Sequence, residues 1–477
     1  MNNDLVMVTG IFNVLHPGHL RLFKFAKSRG QRLVVGVLSD DLAGHAAYVP
    51  ESLRLEALNT NQLIDEVFIV KNSIAAEIRL RKPAFVVKGK EFEFKQNIET
   101  KVLDEYGGKI LFSSGDVVFS STDLIQREFS KPSWQPNEKP SEYLTRRSIS
   151  RAGLLDLVSK FSALRVLVIG DSIVDEYISC DTLGLSEEDP SIVVSPIESR
   201  RFVGGAAIVA AHARSLGCDV TFVSVFGDDE AKVYCENTLA SLNLKSRLIV
   251  DKTRSTTVKQ RYRSKGKTLF RVSHLTQVSI NTAIQDEIMG YLQNNYKSFD
   301  LVILSDFNYG VLPQRLVDKI SALCTEYGIL VVADSQSSSQ VGDIARFKNM
   351  ALITPTEREA RLALKNFEDG LAILGESLSV ISGAKNVIVK LGGDGLLIHV
   401  PLENYQAWDT DRIPALNQSP QDVAGAGDCL LVATSLVLSA GGTIWEAAYL
   451  GSVAAGIQVG RVGNMPIKQS ELIQAIN

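Results

Sequence analysis

The chain has 477 residues and a mass of 52.1 kDa. At roughly 100–200 residues per domain that is enough for two or three domains, each with its own core, so one compact domain is not expected. A composition of 45% hydrophobic and 22% charged residues, with 35 Gly and 14 Pro, excludes a disordered, collagenous or fibrous chain. Fifty Lys and Arg against 54 Asp and Glu leave a formal net charge of −4, which gives no global attraction to nucleic acid or to an anionic membrane.

In chain order, the N-terminal Met-Asn-Asn-Asp has no basic n-region and passes directly into the β-like Leu5–Val8, so no export signal is expected. Thr9-Gly10 then leads to a helical pattern around Leu20, Phe23 and Ala26 and to a second apolar run, Leu33–Leu38, which makes a β-α-β unit. Strand-like runs at Glu66–Val70, Phe85–Lys88 and Lys109–Phe112 alternate with helical segments and predict a Rossmann-like parallel α/β sheet ending near Phe129. Lys131–Pro140 holds three prolines among polar residues and no apolar period. The expected division is therefore a first domain over 1–130, a linker over 131–149 and a second domain over 150–477.

The second domain opens with an amphipathic segment at Leu154–Phe161 and the strand Arg165–Gly170. Val220–Val225, Leu301–Leu304, Ile329–Ala333, Leu352–Thr354 and Val387–Lys390 follow, again α/β. Thr256–Val272 alternates like a hairpin turning near Gly266, rich in Lys and Arg, and is expected to project from the main sheet. Its aromatic residues are limited to Tyr262 and Phe270, so phosphate on a metabolite explains its charge more simply than nucleic acid does. Cys429–Ala440 is too short to span a membrane and reads as a buried helix. Five scattered cysteines, odd in number and never in a C-x-x-C pair, fit a reducing cytoplasm.

Two segments carry chemistry. Thr9-Gly10-Ile11-Phe12-Asn13-Val14-Leu15-His16-Pro17-Gly18-His19 lies between a strand and a helix. Its glycines let the backbone approach a ligand, the helix start offers unpaired N–H groups to an anion, and His16 and His19 can sit beside the same phosphates. Attack of a phosphate oxygen on a nucleotide α-phosphate suits such a site, because positioning and charge stabilisation suffice without a protein nucleophile. A metal-binding reading of the two histidines lacks a third ligand nearby. Asp422-Val423-Ala424-Gly425-Ala426-Gly427-Asp428 precedes an apolar helix. There Gly425, Ala426 and Gly427 can turn successive N–H groups toward one oxyanion while Asp428 accepts a proton from a substrate hydroxyl, an outline of phosphoryl transfer. His212, His274 and His399 stand outside any motif and read as structural, and Cys429 as a small core residue.

On the first segment, residues 4–129 resemble the HxGH nucleotidyltransferase superfamily, its cytidylyltransferase and ADP-heptose synthase members in particular. The resemblance implies nucleotide contacts at Thr9, Gly10 and Phe12, triphosphate contacts at His16 and His19, and further roles for Asp40, Arg54 and Lys88. Ser121-Thr122 before a helix is similar to the family's S-T-T-x-I-I signature, which holds phosphate. Asn13 stands where the family has Asp, and Gly89-Lys90-Glu91-Phe92 where heptose enzymes have G-G-D-Y.

Residues 165–477 resemble ribokinase-like (PfkB) sugar kinases with a β lid. The resemblance rests on Gly170-Asp171-Ser172-Ile173-Val174-Asp175, Ser186-Glu187-Glu188-Asp189-Pro190, Val203-Gly204-Gly205-Ala206-Ala207, Ser305-Asp306-Phe307-Asn308-Tyr309-Gly310, Lys390–Gly395 and Gly425–Asp428. It implies sugar contacts at Asp171, Asp175, Gly204, Gly205 and Asp306, sugar-phosphate contacts at Lys259 and Arg261, and nucleotide contact near Gly393. It also implies a Glu359 that helps organise Mg²⁺ through water. Ile208, Tyr309, Asp334-Ser335-Gln336-Ser337 and Thr356 depart from the family pattern.

Together the halves resemble the bifunctional heptose-7-phosphate kinase/heptose-1-phosphate nucleotidyltransferase family, with the order reversed, since that family carries the kinase first. The resemblance implies a bifunctional transferase that makes a nucleotide-activated sugar, ADP-heptose from a heptose 7-phosphate. It would use Mg²⁺, ATP in the kinase, and ATP or CTP in the nucleotidyltransferase, and would form a homodimer through the kinase domain. A CTP-dependent enzyme for another sugar or polyol phosphate, or one domain kept as a scaffold, is the alternative. Small sugar phosphates and nucleoside triphosphates, not nucleic acid or membrane, are the expected partners.

Overall fold

A computed structural model describes residues 2–15, 17–89, 97–112, 141–186, 189, 191–264, 267–337, 342–402, 408–417 and 420–477. His16, Ser121, Thr122, Glu187, Glu188 and Pro190 lie outside the described residues. The chain divides into two compact units, Met1–Gln135 with Phe367–Leu374, and Pro136–Asn366 with Gly375–Asn477.

In the first unit, strands β1 (Asn2–Gly10), β2 (Arg32–Leu38), β3 (Glu66–Val70), β4 (Pro83–Lys88) and β5 (Lys109–Phe112) form one parallel sheet in the order β3-β2-β1-β4-β5. β-Branched and apolar runs fill β1 and β2 because helices cover both faces of a parallel sheet. Val6, Val8, Leu33, Val35 and Phe23 close one side of the core, and Leu5, Met7, Val34 and Ile78 the other. The strand order reverses between β1 and β4, and ligands of such sheets bind in the crevice outside the strand ends at that point.

The second unit contains strands β6 (Arg165–Gly170), β7 (Ser172–Leu185), β8 (Ile192–Gly205), β9 (Asp219–Phe226), β10 (Lys245–Val250), β11 (Thr257–Ser264) and β12 (Lys267–His274). They are followed by β13 (Leu301–Asp306), β14 (Leu330–Ser335), β15 (Leu352–Ile353), β16 (Val387–Lys390), β17 (Leu396–Pro401) and β18 (Trp408–Ile413). Nine of these form the main sheet, β10-β9-β6-β13-β14-β15-β16-β17-β18, parallel except at β17 and β18. The other four form the sheet β12-β11-β7-β8, in which the expected hairpin pairs antiparallel as β11 and β12. The helices Ala426–Ser439 and Ile444–Val459 pack in the main core, and Cys429–Val437 is buried throughout, as the apolar run predicts. Among the described residues no helix is long and apolar enough to cross a membrane.

The expected linker over 131–149 needs correction at its C-terminal end. Ser141–Arg146 is a helix, and Tyr143 is buried with its hydroxyl donating to the carbonyl of Trp445 at 2.8 Å. Arg147 lies over the Trp445 ring at 3.4 Å and forms ion pairs of 2.6 Å with both Asp409 and Asp411. Burial alone would raise the Asp411 carboxyl, but hydrogen bonds from Arg146 and Arg147 hold it below the usual range. Six residues are too few to show a helical period, and the partner of Tyr143 lies 302 residues further along, so neither signal was local.

Replacing Arg147 by Ala would leave Asp411 with Arg146 alone and remove the stacking on Trp445. Urea unfolding of the full chain should show the second unit destabilised by about 2 kcal/mol, the usual scale for weakening a partly buried charged network. An unchanged transition would mean that the segment does not contribute to this fold.

Candidate functional site

A cavity of about 610 Å³ opens in the second unit, where the carboxyl ends of the main-sheet strands meet the small sheet and the start of helix Ala426–Ser439. Of the residues predicted from sequence, Asp175, Gly205, Lys259, Arg261, Glu359, Gly393 and the whole Gly425–Asp428 turn line it. Gly425 has φ +76°, and a Cβ there would come 2.0 Å from Asn464 Oδ1, so this turn requires glycine. The turn delivers the chain into the helix with the N–H groups of Gly427 and Asp428 in its first turn, where no intrahelical carbonyl is available to them. Upstream, Asp422 braces the loop by accepting from the Ala424 and Gly463 N–H groups and from the Tyr177 hydroxyl at 2.8 Å.

Asp428 is 5% exposed and accepts a hydrogen bond from Gln336 Nε2 at 3.0 Å. Burial, and then the nearby Asp334 carboxylate, push its pKa up to about 7, while Lys390 opposes the rise. A carboxylate so poised can take a proton from an alcohol near neutral pH. Lys390, at the end of β16, places its ammonium 3.0 and 2.9 Å from the two oxygens of Asp334, at the end of β14. Lys390 and Gln336 stand in segments that the sequence marks, Lys390–Gly395 and Asp334–Ser337, but their contacts with Asp334 and Asp428 appear only when the strand ends are brought side by side.

On the opposite side, Asp175 of β7 meets Arg261 of β11 at 3.4 Å, with Gly204 packed against its carboxylate. Lys259 lies over the rings of Phe307 and Tyr309 at 5.5 and 5.2 Å. The buried Tyr309, which departs from the family's Lys, thus supports a cation through its ring face. Arg271 and Ser273 also line the cavity and sit directly across the hairpin from Arg261 and Lys259.

Asp171 and Asp306 are not in the cavity wall. Asp171 accepts from the N–H groups of Phe307, Tyr309 and Val311, and Asp306 accepts from Ser335 Oγ and pairs with Arg346 at 2.9 Å. Both hold the loop after β13, and both carboxylates are buried by it. Among the other departures, Ile208 is a core residue. Thr356 caps the helix Glu357–Leu364 by accepting from Glu359 N–H, as an Asn there could.

Glu359 receives the Ser337 and Thr356 N–H groups on its two oxygens, at 2.8 and 2.7 Å. Each oxygen keeps a lone pair toward the cavity, which suits water on a metal better than a direct ligand. Among the described residues no cluster of three or more His, Cys, Asp or Glu could hold a metal. A Mg²⁺ ion usually takes most of its ligands from nucleotide phosphates and water.

In the first unit, Thr9-Gly10 and Lys88 end the neighbouring strands β1 and β4 at the crossover point. His19 lies in the helix Pro17–Lys27, with its ring 5.1 Å from Phe12 and 6.4 Å from Phe23. Three charged residues do not present themselves simply to a ligand. Lys88 pairs at 2.7 Å with the buried Glu99, which gave no sequence signal. Arg54 is wholly buried and donates to the carbonyls of Val49, Ile11 and Leu38 and to Asp40. Asp40 itself is half-exposed, and hydrogen bonds from Arg54 and the Glu51 N–H hold its carboxyl below the usual range. The buried Asn13 accepts from the Tyr48 and Val49 N–H groups and donates to the Ala46 carbonyl at 2.7 Å.

Comparison with known proteins agrees with this division. Residues 163–470 match the pfkB family carbohydrate kinase profile, and residues 7–129 the cytidylyltransferase-like profile. The chain is 32% identical over 320 residues to "Bifunctional protein HldE" of Desulfatibacillum aliphaticivorans, covering 66% of this chain and 63% of the relative. It is 30% identical over 332 residues to the protein of that name in Trichlorobacter lovleyi, covering 67% and 64%. The match thus spans less than two thirds of either relative. Escherichia coli phosphofructokinase-2 in complex with potassium superposes with a TM-score of 0.55 at 15% identity, over 66% of this chain and 98% of that one. Ribokinase from Thermotoga maritima does so at 0.50 and 21% identity, over 66% and 99%, and both likenesses establish the fold.

Gly425→Ala should destabilise the second unit by about 2–4 kcal/mol, combining a left-handed backbone cost of roughly 1–2 kcal/mol with the clash on Asn464. Equilibrium unfolding measures this, and a wild-type value would show that the turn tolerates a side chain.

Proposed function

The chain belongs to the pfkB family of carbohydrate kinases, and from that premise we propose that it is a bifunctional transferase. Its second unit phosphorylates the anomeric hydroxyl of a heptose 7-phosphate with ATP. Its first unit couples the anomeric phosphate to a nucleotide with release of pyrophosphate, giving ADP-heptose once a separate hydrolysis has removed the 7-phosphate as inorganic phosphate. The observation that carries the kinase reading is Asp428 at the helix start, facing Lys259 and Arg261 across one cavity.

In the first step Asp428 takes the proton of the acceptor hydroxyl as its oxygen attacks the γ-phosphorus and ADP leaves. The Gly427 and Asp428 N–H groups hold the transferred phosphoryl oxygens, and Lys259 and Arg261 anchor the phosphate already on the sugar. A Mg²⁺ ion bound with the nucleotide would supply charge neutralisation there, and Glu359 would order its water. In the second step an oxygen of the sugar phosphate attacks the α-phosphorus of the nucleotide. Thr9, Gly10, His19 and, from sequence, His16, Ser121 and Thr122 steady the triphosphate there. Lys88, Arg54 and Asp40 support this site from their braced positions.

The five cysteines are free and buried, in keeping with a cytoplasmic enzyme. Strand β8 is an edge of the small sheet, and Leu183, Ile192 and Ile197 on this hairpin are exposed, which supports pairing of two copies through it.

Incubation with heptose 7-phosphate, ATP, Mg²⁺ and an added phosphatase for the 7-phosphate should yield both ADP and pyrophosphate, and absence of both across a panel of sugar phosphates would refute the reading. Pyrophosphate release with CTP in place of ATP would instead identify a cytidylyltransferase. Asp428→Asn should abolish ADP formation, whereas an unchanged yield would mark the second unit as a scaffold.

Because the ionised form of Asp428 is the active one and its pKa is raised to about 7, kcat/KM for ADP formation should fall as pH drops through about 7. A flat profile between pH 5 and 8 (roughly the range over which such a group titrates) would show that Asp428 is not the base. Sedimentation at several concentrations should give a dimer that Ile197→Asp converts to monomer.

A further inference from the structure

Lys390 opens the Lys390–Gly395 strand–turn but has been given no role of its own, and its side chain lines the cavity beside the Gly425–Asp428 turn. The side chain is 11% exposed, lines the cavity and gives two N–H bonds to Asp334. An ammonium has three such donors, and the third has no hydrogen-bond partner among the described residues. A Cβ built on Gly427 would lie 3.2 Å from Nζ and 3.7 Å from Cδ, so the absent side chain at 427 is what lets the ammonium press against the first turn of the helix. Burial disfavours its charge, but Asp334, Glu359 and Asp428 around it hold the ammonium in the charged form.

Two positive features therefore converge on one point: the N-terminal end of helix Ala426–Ser439, with its unpaired N–H groups, and a buried ammonium. Three carboxylates already balance these like signs, so what leaves the ammonium open to a further anion is its third N–H and its place in the cavity wall. A buried Lys–Asp pair is also no better for stability than an apolar pair of the same volume, so packing alone does not explain it. We propose that Lys390 is a phosphate-binding cation of the transfer site, clamped by Asp334 beneath Gly427 so that its third N–H meets the phosphoryl group held at the helix start. Asp334 is then a positioning residue that acts through Lys390. This inference rests on the kinase reading and adds a charge to it that the Gly-Ala-Gly turn does not supply.

The test separates binding of phosphate from mere neutralisation of Asp334. Lys390→Met should lower kcat for ADP formation about 100-fold, the usual scale for one lost transition-state donor, with the KM for the sugar changed less than about threefold. Because Met leaves Asp334 buried without its partner, melting temperature should fall as well. The double variant Asp334→Asn/Lys390→Met should recover the melting temperature and leave the rate low. If its rate instead returns to within about threefold of Asp334→Asn alone, Lys390 only neutralises Asp334 and the proposal is overturned.

Should the wild-type protein form no ADP with any sugar phosphate, the kinase reading fails by itself. The equilibrium preference for ATP over adenosine then tests Lys390 directly. A preference reduced about tenfold or more in Lys390→Met upholds the phosphate contact, and an unchanged preference overturns it.

Discussion

The second unit is organised around three carboxylates and one ammonium at the start of a buried helix. Removing Asp428 from water is unfavourable for its charged form, and Asp334 close by makes it more so. The arrangement holds because Lys390 lies among Asp334, Glu359 and Asp428, and because the helix start presents its positive end to the same point. That requirement fixes where the strand ends must come. β14 has to deliver Asp334, β16 has to deliver Lys390, and the helix Glu357–Leu364 has to present Glu359 with both its oxygens already tied to backbone N–H groups. Parallel pairing of β14, β15 and β16 meets these conditions at the carboxyl ends of those strands.

The small sheet answers this cluster with the opposite arrangement, cations around one carboxylate. Arg261 and Arg263 both lie over the ring of Tyr177, at 5.4 and 5.3 Å, and the Tyr177 hydroxyl reaches Asp422 just before the Gly-Ala-Gly turn. One side chain thus ties the hairpin that carries the cations to the loop that shapes the anion cradle. A displacement of the hairpin would strain Asp422, whose other bonds hold Ala424 and Gly463. Arg261 and Arg271 stand directly opposite on β11 and β12, and Asp175, 3.4 Å from Arg261, offsets only part of their repulsion. A phosphate between them would turn the remaining repulsion into attraction, as the proposed phosphorylated substrate requires.

Both α/β sheets were legible in the sequence because apolar runs of strand length alternate with helical periods, and Glu66–Val70, Lys109–Phe112, Arg165–Gly170 and Val387–Lys390 form with the expected ends. The turn Gly425–Asp428 at the helix start was legible because glycine spacing before an apolar helix is a local signal. Long-range electrostatics was not legible. Nothing near Lys390 in the sequence points to Asp334, and nothing near Lys88 points to Glu99. Asp171 and Asp306 show the converse limit, since a motif aspartate can equally serve the backbone of its own loop, and only its hydrogen bonds distinguish the two roles. The helix Ser141–Arg146 escaped notice because its stability lies in contacts with Trp445, Asp409 and Asp411 rather than in its own six residues.

The first unit shows the same economy of charge in its one visible departure from the nucleotidyltransferase pattern. Asn13 could be read as a loss of negative charge toward a ligand. Its contacts give another account: the amide oxygen accepts from two N–H groups of the 46–49 loop while the amide nitrogen donates to the Ala46 carbonyl. An ionised Asp could keep the first two bonds but not the third, and its charge would face the Ala46 carbonyl oxygen. Arg54 grips the same region through the Val49 and Ile11 carbonyls. Asn13 and Arg54 therefore act as a pair that sets the loop beside the β1–β4 crevice. The substitution at 13 is thus a change in how that wall is built, and selectivity for the nucleotide base must be sought in groups that face the crevice itself.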